Sequence, residues 1–510
     1  MDLFGTAGIR GDVDAHVTPE LALAVGGAVA DAIADDALAA EGTLAPEIVV
    51  ARDGRVTGPA LADAIAAGAA AGGARVRRAG MLPTPALAFA SRDRYGIAVT
   101  ASHNPPHDNG IKLFRDGVEF DRDAEDAVET RVSEGVASAD WDRWTEPESV
   151  AVLAAYREAV AAYARQFGAP LDGLRIAVDC GNGMASLATP AVLGDLGAEV
   201  VTLNGNVDGH FPGRGSKPTP ETLADLRAFI ADANDGIENP GRPGADEGMG
   251  ADTSEDMGKD TDEDMGKDTG GNADGTGFAF GIGHDGDADR IVIVDADGEI
   301  VHEDTVLAIL AERYTRTSEA ADPVVVTTPN ASGRIDERVR EAGGRVERVR
   351  LGALHEGIAA VREAASEQGG AADTAVAFAA EPWKHTHTRF GGWIDGVCSA
   401  AVLARLVAAE GLAALREPVT ERPYRKVNVD CPDERKAPAM DRLATALPEA
   451  FPEADVSTDH GVRLEFPDAS WVLVRPSGTE PYVRLYAESD DVDALVAEVQ
   501  SVVRTAVESV

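Results

Sequence analysis

The stretch VTASHNPPHDNGIKLF (residues 99–114) carries one serine, Ser102, with a histidine, an asparagine and a proline directly behind it. It follows an apolar run, Tyr95 to Thr100, that reads as a buried strand. A small hydroxyl at the exit of such a strand suits a site, because α/β sheets bind ligands beyond their strands' carboxyl ends. The surroundings are not the G-x-S-x-G elbow of a hydrolase nucleophile. The alternative is an Asn-Pro turn whose hydroxyl bonds its neighbours' backbone.

A second constellation lies in GIGHDGDADR (281–290), where Asp285, Asp287 and Asp289 alternate after an apolar strand, spaced by Gly286 and Ala288. Three carboxylates brought together repel unless a hard cation joins them, and Mg²⁺ takes oxygen ligands and favours phosphate company. An EF-hand does not fit, since its sixth position falls on Arg290 and its twelfth on Ala296. A solvated acidic turn is the alternative. A third stretch, VRPSGTEPYVRLYAES (474–489), sets Arg475, Ser477, Gly478 and Thr479 between two strands. Backbone N–H groups near a glycine, two hydroxyls and a guanidinium make a phosphate clamp. A fourth, FGTAGIRGD (4–12), offers Arg10 on a glycine-flanked turn.

In chain order, FGTAGIRG, TASHNP, DGDADR and RPSGTEP, the four stretches resemble the α-D-phosphohexomutase superfamily, over the whole chain apart from an acidic insert. The resemblance implies three related α/β domains and a smaller fourth around a central cleft. It implies that Ser102 is carried as a phosphoserine, with Mg²⁺ held by Ser102, Asp285, Asp287 and Asp289. A phosphoserine brings roughly −1.5 to −2 charge, so a divalent ion beside it is expected. Its phosphoryl group goes to a sugar monophosphate, giving a bisphosphorylated sugar that turns over in the cleft and returns its other phosphate. His103 and Arg290 flank the phosphoryl group, Arg10 neutralises it, and Lys112 is placed for proton transfer. Arg475, Ser477, Gly478, Thr479 and Arg484 grip the non-reacting phosphate.

Where the family usually shows Gly-Glu-x-Ser-Gly-His, this chain reads AEPWKH (380–385). Glu381 and His385 keep their places, as sugar ligand and proton-transfer partner, while Trp383 and Lys384 replace Ser and Gly. Trp383 either turns its flat face to the sugar or packs inward. Gly352, in LGALHEG, stands beside a family sugar position. The amino-terminal motif is most similar to phosphoglucosamine mutases, whereas DCGNG (179–183) also suits phosphomannomutases and phosphoglucomutases, and a pentose phosphate fits the altered loop. A silent paralogue that binds sugar phosphates is the non-enzyme reading.

The elements that must position these residues follow a strand–helix rhythm. Alternating units predict mixed, mostly parallel sheets covered by helices over 1–149, 150–299 and 300–415, then an α+β module over 416–510. Helices are expected over 59–72, 151–167, 186–197 and 331–343, and strands at 47–51, 174–179, 199–203, 278–282, 323–328 and 374–381. The 510 residues imply about three or four domains. Residues 235–276 hold thirteen acids against three bases and almost no Val, Leu or Phe. They read as a disordered acidic loop, with a calcium-binding role as the other reading.

The three cysteines, Cys180, Cys398 and Cys431, form no C-x-x-C and fit reduced thiols in the cytoplasm. No signal peptide or membrane-spanning stretch is legible. A monomer or homodimer is expected. A net charge of −42 repels nucleic acid and anionic membranes. Only seven of the 46 basic residues are lysines. An acid-rich, lysine-poor surface suits concentrated salt, where self-repulsion is screened. Circular dichroism is therefore expected to show loss of structure on dilution into low salt, and full stability there would contradict this reading.

Overall fold

Four β-sheets follow one another along the chain, each built from the apolar runs that the sequence alternates with helical stretches. The computed structural model describes residues 3–5, 8–35, 38, 46–238, 277–367, 373–477 and 480–510. In the first sheet the strands run Ile9–Asp12, Asp108–Arg115, Tyr95–Val99, Glu47–Arg52, Arg75–Met81 and Glu148–Ser149, with Val118–Glu119 paired to Asp108–Arg115. Its centre is parallel, and the two strands beyond Tyr95–Val99 are antiparallel. The central strand Tyr95–Val99 is buried at every residue and delivers the chain directly to Ser102.

The second sheet orders Ile300–Val301, Ile291–Val294, Phe280–His284, Arg175–Asp179 and Glu199–Leu203. Phe280–His284, wholly buried, leads into the Asp285–Asp289 loop, and Ile291–Val294 returns antiparallel beside it. The third sheet, Arg345–Arg348, Asp322–Thr327, Thr374–Glu381 and Lys384–Thr386, closes on a tight hairpin through Pro382 and Trp383. The fourth is antiparallel throughout: Tyr424–Asp430, Tyr482–Glu488, Trp471–Pro476, Val462–Glu465 and Asp455–Ser457. Helices Asp433–Ala450 and Val492–Glu508 cover one of its faces.

Two expectations need correcting. The helix expected over 186–197 is broken into a short turn, Met184–Leu187, and a helix, Thr189–Asp195. Ala188 leaves helical geometry at φ −131° ahead of Pro190, which cannot donate to the preceding turn and restarts the helix. The acidic segment 235–276 lies outside the described residues except at its start, where helix Ala224–Glu238 runs into it. The helix persists because Leu226 and Ile230 pack with Phe278, and Asn234 bonds the backbone of Phe278 and Ala296. No helix among the described residues is long and apolar enough to cross a membrane.

One continuous apolar core joins the first three sheets, running from Val49 through Phe280 and Val325 to Val419. Helix Gly396–Glu410, buried from Gly396 through Val407, lies within it. The fourth sheet has its own core and meets the third through buried polar groups. Arg334, 1% exposed, donates to Glu488 at 2.9 Å and to Thr305 at 3.0 Å, while the Trp471 indole donates to the other Glu488 oxygen. Removing one member of such a pair strands the other charge in a dry interior. Arg334→Ala should therefore destabilise by about 3–5 kcal/mol, read as a shifted urea midpoint, with a smaller loss when Glu488→Leu accompanies it.

Candidate active site

Ser102 sits at φ +50° with no exposed surface. A non-glycine residue in this region marks strain that the surroundings must over-determine. Here Arg55 does so. Wholly buried, it donates to the carbonyls of Ser102 (3.0 Å), Asn104 (2.8 Å), Asp108 (2.9 Å) and Pro105, so one guanidinium binds four carbonyls of the serine turn. Asp53 orients Arg55 and also accepts the Thr100 hydroxyl at 2.8 Å, and Thr100 in turn accepts the Ser102 N–H at 2.9 Å.

The aspartate loop of the second sheet meets this turn. Ser102 Oγ donates to Asp285 Oδ2 at 2.8 Å and lies 3.3 Å from His103 Nδ1. Thr84 holds Asp287 twice, through its hydroxyl at 2.7 Å and its N–H at 3.0 Å. A Cβ on Gly286 would stand 2.5 Å from the Ser102 carbonyl, which explains the glycine. Ala288, at φ +62°, adds a second strained residue. Arg214 braces the loop from behind, donating to the His284 carbonyl at 2.6 Å and pairing with Asp179 at 2.9 Å.

Asp285, Asp287 and Asp289 are buried with carboxylate oxygens within 4.8 Å of one another. Asp287 Oδ1 and Asp289 Oδ1 are buried without a hydrogen-bond partner. Two orphaned anionic oxygens beside a third carboxylate and a serine hydroxyl fit a hard divalent cation. Burial, with Asp289 and Asp287 next, drives the Asp285 carboxyl well above its ordinary range. Burial pushes Asp289 the same way, but Lys112 and Arg290 outweigh it and hold that carboxyl low.

Lys112 Nζ stands 3.2 Å from Asp289 and 3.6 Å from Glu119. Burial alone would lower its pKa, yet the acids around it keep the ammonium above its usual range. His103 is pushed down to about 3 by burial and by Arg290 and Arg10, so it is neutral at pH 7. Arg290 lies 3.7 Å from Asp285 and 3.6 Å from Asp289. Arg10, opposite Gly110 across the first sheet, completes the group.

Beside this centre a cleft is lined by Lys112, Asp289, Gly352, Glu381 and Lys384. Glu381 accepts the Gly352 N–H at 2.6 Å and lies 3.8 Å from Lys384 Nζ. Two expected sugar-loop residues are placed elsewhere. Trp383, at φ +70°, is partly buried against the apolar cluster that includes Leu223, Phe278 and Val292, and it does not line the cleft. His385 is 1% exposed, with Nδ1 3.1 Å from Ser399 Oγ and its ring against Phe378. Burial lowers it to about 3, and it does not line the cleft. In the fourth sheet Arg475 and Arg484 both reach the Tyr486 hydroxyl, at 3.2 and 3.3 Å. Ser477 accepts the Glu480 N–H at 3.2 Å. Gly478 and Thr479 lie outside the described residues.

Family models match in three places: phosphoglucomutase/phosphomannomutase alpha/beta/alpha domain I over residues 1–138, domain II over 154–257, and the C-terminal domain over 427–506. A phosphopentomutase of Thermococcus kodakarensis is 36% identical over 96% of this chain and 94% of its own length. A probable phosphoglucosamine mutase of Methanopyrus kandleri is 36% identical over 99% of both. The chain belongs to the phosphoglucomutase/phosphomannomutase family. A solved family protein from Burkholderia thailandensis overlays with a TM-score of 0.77 at 25% identity, covering 100% of this chain and 97% of that one. The chain is thus an isomerase, an intramolecular phosphotransferase.

Sequence reasoning missed Asp53, Arg55, Thr84 and Arg214, which touch backbone or carboxylates far away in the chain. One signal was present: Asp53 and Arg55 follow the buried strand Glu47–Arg52 much as the aspartates follow Phe280–His284. Gly286→Ala tests the closeness of the two loops. A methyl there must separate them, at about 1–3 kcal/mol in stability and on the order of a hundredfold in kcat, measured by urea denaturation and steady-state kinetics.

Proposed function

We propose that this mutase carries its phosphoryl group on Ser102 and interconverts the 6- and 1-phosphates of an amino hexose, as a phosphoglucosamine mutase. The observation that carries the reading is the 2.8 Å bond from Ser102 Oγ to Asp285 beside two orphaned carboxylate oxygens. In the first half-reaction a sugar hydroxyl oxygen bonds to phosphorus as the Oγ–phosphorus bond breaks, and the hydroxyl proton ends on Ser102. The bisphosphorylated sugar reverses, and Ser102 Oγ takes the other phosphoryl group by the opposite exchange. Such transfer needs positioning and charge neutralisation more than covalent help.

Mg²⁺ held by Asp285, Asp287, Asp289 and Ser102 would neutralise charge on the phosphoryl oxygens. Neutral His103 stands 3.3 Å from Ser102 Oγ, and charged Lys112, Arg290 and Arg10 donate to oxygens of the transferring group. Arg475, Ser477 and Arg484, with Gly478 and Thr479, receive the distal phosphate. Glu381, Lys384 and the Gly352 turn face the sugar.

Full-length relatives named probable phosphoglucosamine mutase support the amino hexose. One observation favours a pentose phosphate instead: Lys384 puts a second cation where an amino sugar would bring its own, and the Thermococcus relative is a phosphopentomutase. A coupled assay across glucosamine, glucose, mannose and pentose monophosphates decides between them. Ser102→Ala should cut turnover by more than about a thousandfold and abolish the phosphoserine seen by mass spectrometry. Chelation should stop the reaction and Mg²⁺ restore it. Turnover of pentose phosphates alone would replace the amino-hexose assignment, and full activity in Ser102→Ala would end the phosphoserine reading.

A further inference from the structure

Among the described residues three carboxylates line the cleft: Asp289, Glu381 and Glu119. Asp289 belongs to the aspartate trio, and Glu381 accepts the Gly352 N–H. Glu119 is left. It stands on the strand Val118–Glu119 directly opposite Phe114, two residues past Lys112 on the neighbouring strand. Side chains two apart in a strand share a face with the cross-strand neighbour, so Lys112, Phe114 and Glu119 project together, and all three line the cleft.

The hairpin that carries Glu119 is wedged against the chain that follows the third sheet. A Cβ on Gly117, at φ +81°, would stand 2.9 Å from the Trp393 ring, and one on Gly392 would stand 2.7 Å from a Val118 methyl. The Trp393 indole is in turn fixed by its bond to Asp395 at 3.1 Å. The carboxylate held this way is weakly committed. Lys112 Nζ is 3.6 Å from it, too far for a hydrogen bond, and donates instead to Asp289 at 3.2 Å. Glu119 accepts no hydrogen bond among the described residues. Such a group gains most from a ligand that brings N–H donors and positive charge together.

We infer that Glu119 selects the substrate by accepting the protonated amino group on carbon 2 of a hexosamine phosphate while position 1 faces Ser102. This rests on the amino-hexose mutase reading above. In that reading Lys112 donates to the transferring phosphoryl group, so a carboxylate 3.6 Å from Lys112 meets the substituent beside the reacting carbon. With O1 at Ser102 that neighbour is carbon 2 and its amine. With O6 at Ser102 it is carbon 5, which bears no amine. Preference for the amino sugar is therefore made in one half-reaction and not in the other.

The test follows single-turnover transfer from phosphorylated enzyme by rapid quench at subsaturating sugar. Glucosamine and glucose 6-phosphates accept at O1, and the two 1-phosphates accept at O6. Glu119→Gln should lower the glucosamine-to-glucose rate ratio at O1 by about tenfold or more and leave the ratio at O6 at its wild-type value. Any effect of the substitution on Lys112 acts on both sugars and cancels in each ratio. Glu119→Asp, which keeps the charge, should retain most of the preference at O1. An unchanged O1 ratio in folded Glu119→Gln, or equal falls in both ratios, would overturn selection by Glu119 while leaving the mutase reading intact. A wild-type enzyme that transfers to pentose phosphates and to no glucosamine phosphate would instead overturn the amino-hexose reading beneath it.

Discussion

Three carboxylates buried within a few ångströms of one another are the costliest feature of this protein, and the architecture is organised around bearing that cost. In a dry interior they cannot all remain ionised without facing cations. Lys112 arrives from the first sheet, Arg290 from the loop itself, and two carboxylate oxygens are left without a hydrogen bond. Bringing the serine turn to the same spot needs backbones in near contact, which small residues permit. Gly286 touches the serine turn, Gly183 abuts Gly286, and Gly396 packs on the carbonyls of Ala288 and Arg290.

That convergence accounts for the division of the cores. The first three sheets share one apolar interior, so the serine turn, the aspartate loop and the sugar hairpin are held as a unit. Hydrogen bonds such as Thr84 to Asp287 fix the loops against each other. The fourth sheet is cored separately and joins through polar pairs, Arg334 with Glu488 and Arg463 with the Pro329 carbonyl. A polar junction between separately cored units favours relative motion. A ligand that must be gripped in two orientations benefits from a clamp built that way.

Much of this was legible in the residues. The strand Thr374–Glu381, the antiparallel return after the aspartate loop and the alternating rhythm all emerge where apolar periodicity puts them. The serine and the aspartates could be recognised because their neighbours are small and their spacing is tight. What escaped were contacts made through space to backbone. Arg55 binds carbonyls about fifty positions away, and nothing in its local context distinguishes it from a surface arginine. Side-chain direction was equally hidden. Trp383 packs against the apolar cluster that includes Leu223, Phe278 and Val292, His385 lies against Phe378, and neither lines the cleft.

Trp383 has a consequence for how sugar preference can change. Its partly buried side chain packs against the apolar cluster on the second sheet and its carbonyl accepts the Ile291 N–H at 3.1 Å, one residue past Arg290. The hairpin is thereby tied to the strand Ile291–Val294 that follows the aspartate loop. Reshaping the hairpin at this tryptophan would loosen the catalytic floor before it altered a single ligand contact. Lys384 and Glu381, by contrast, line the cleft beside the aspartate loop.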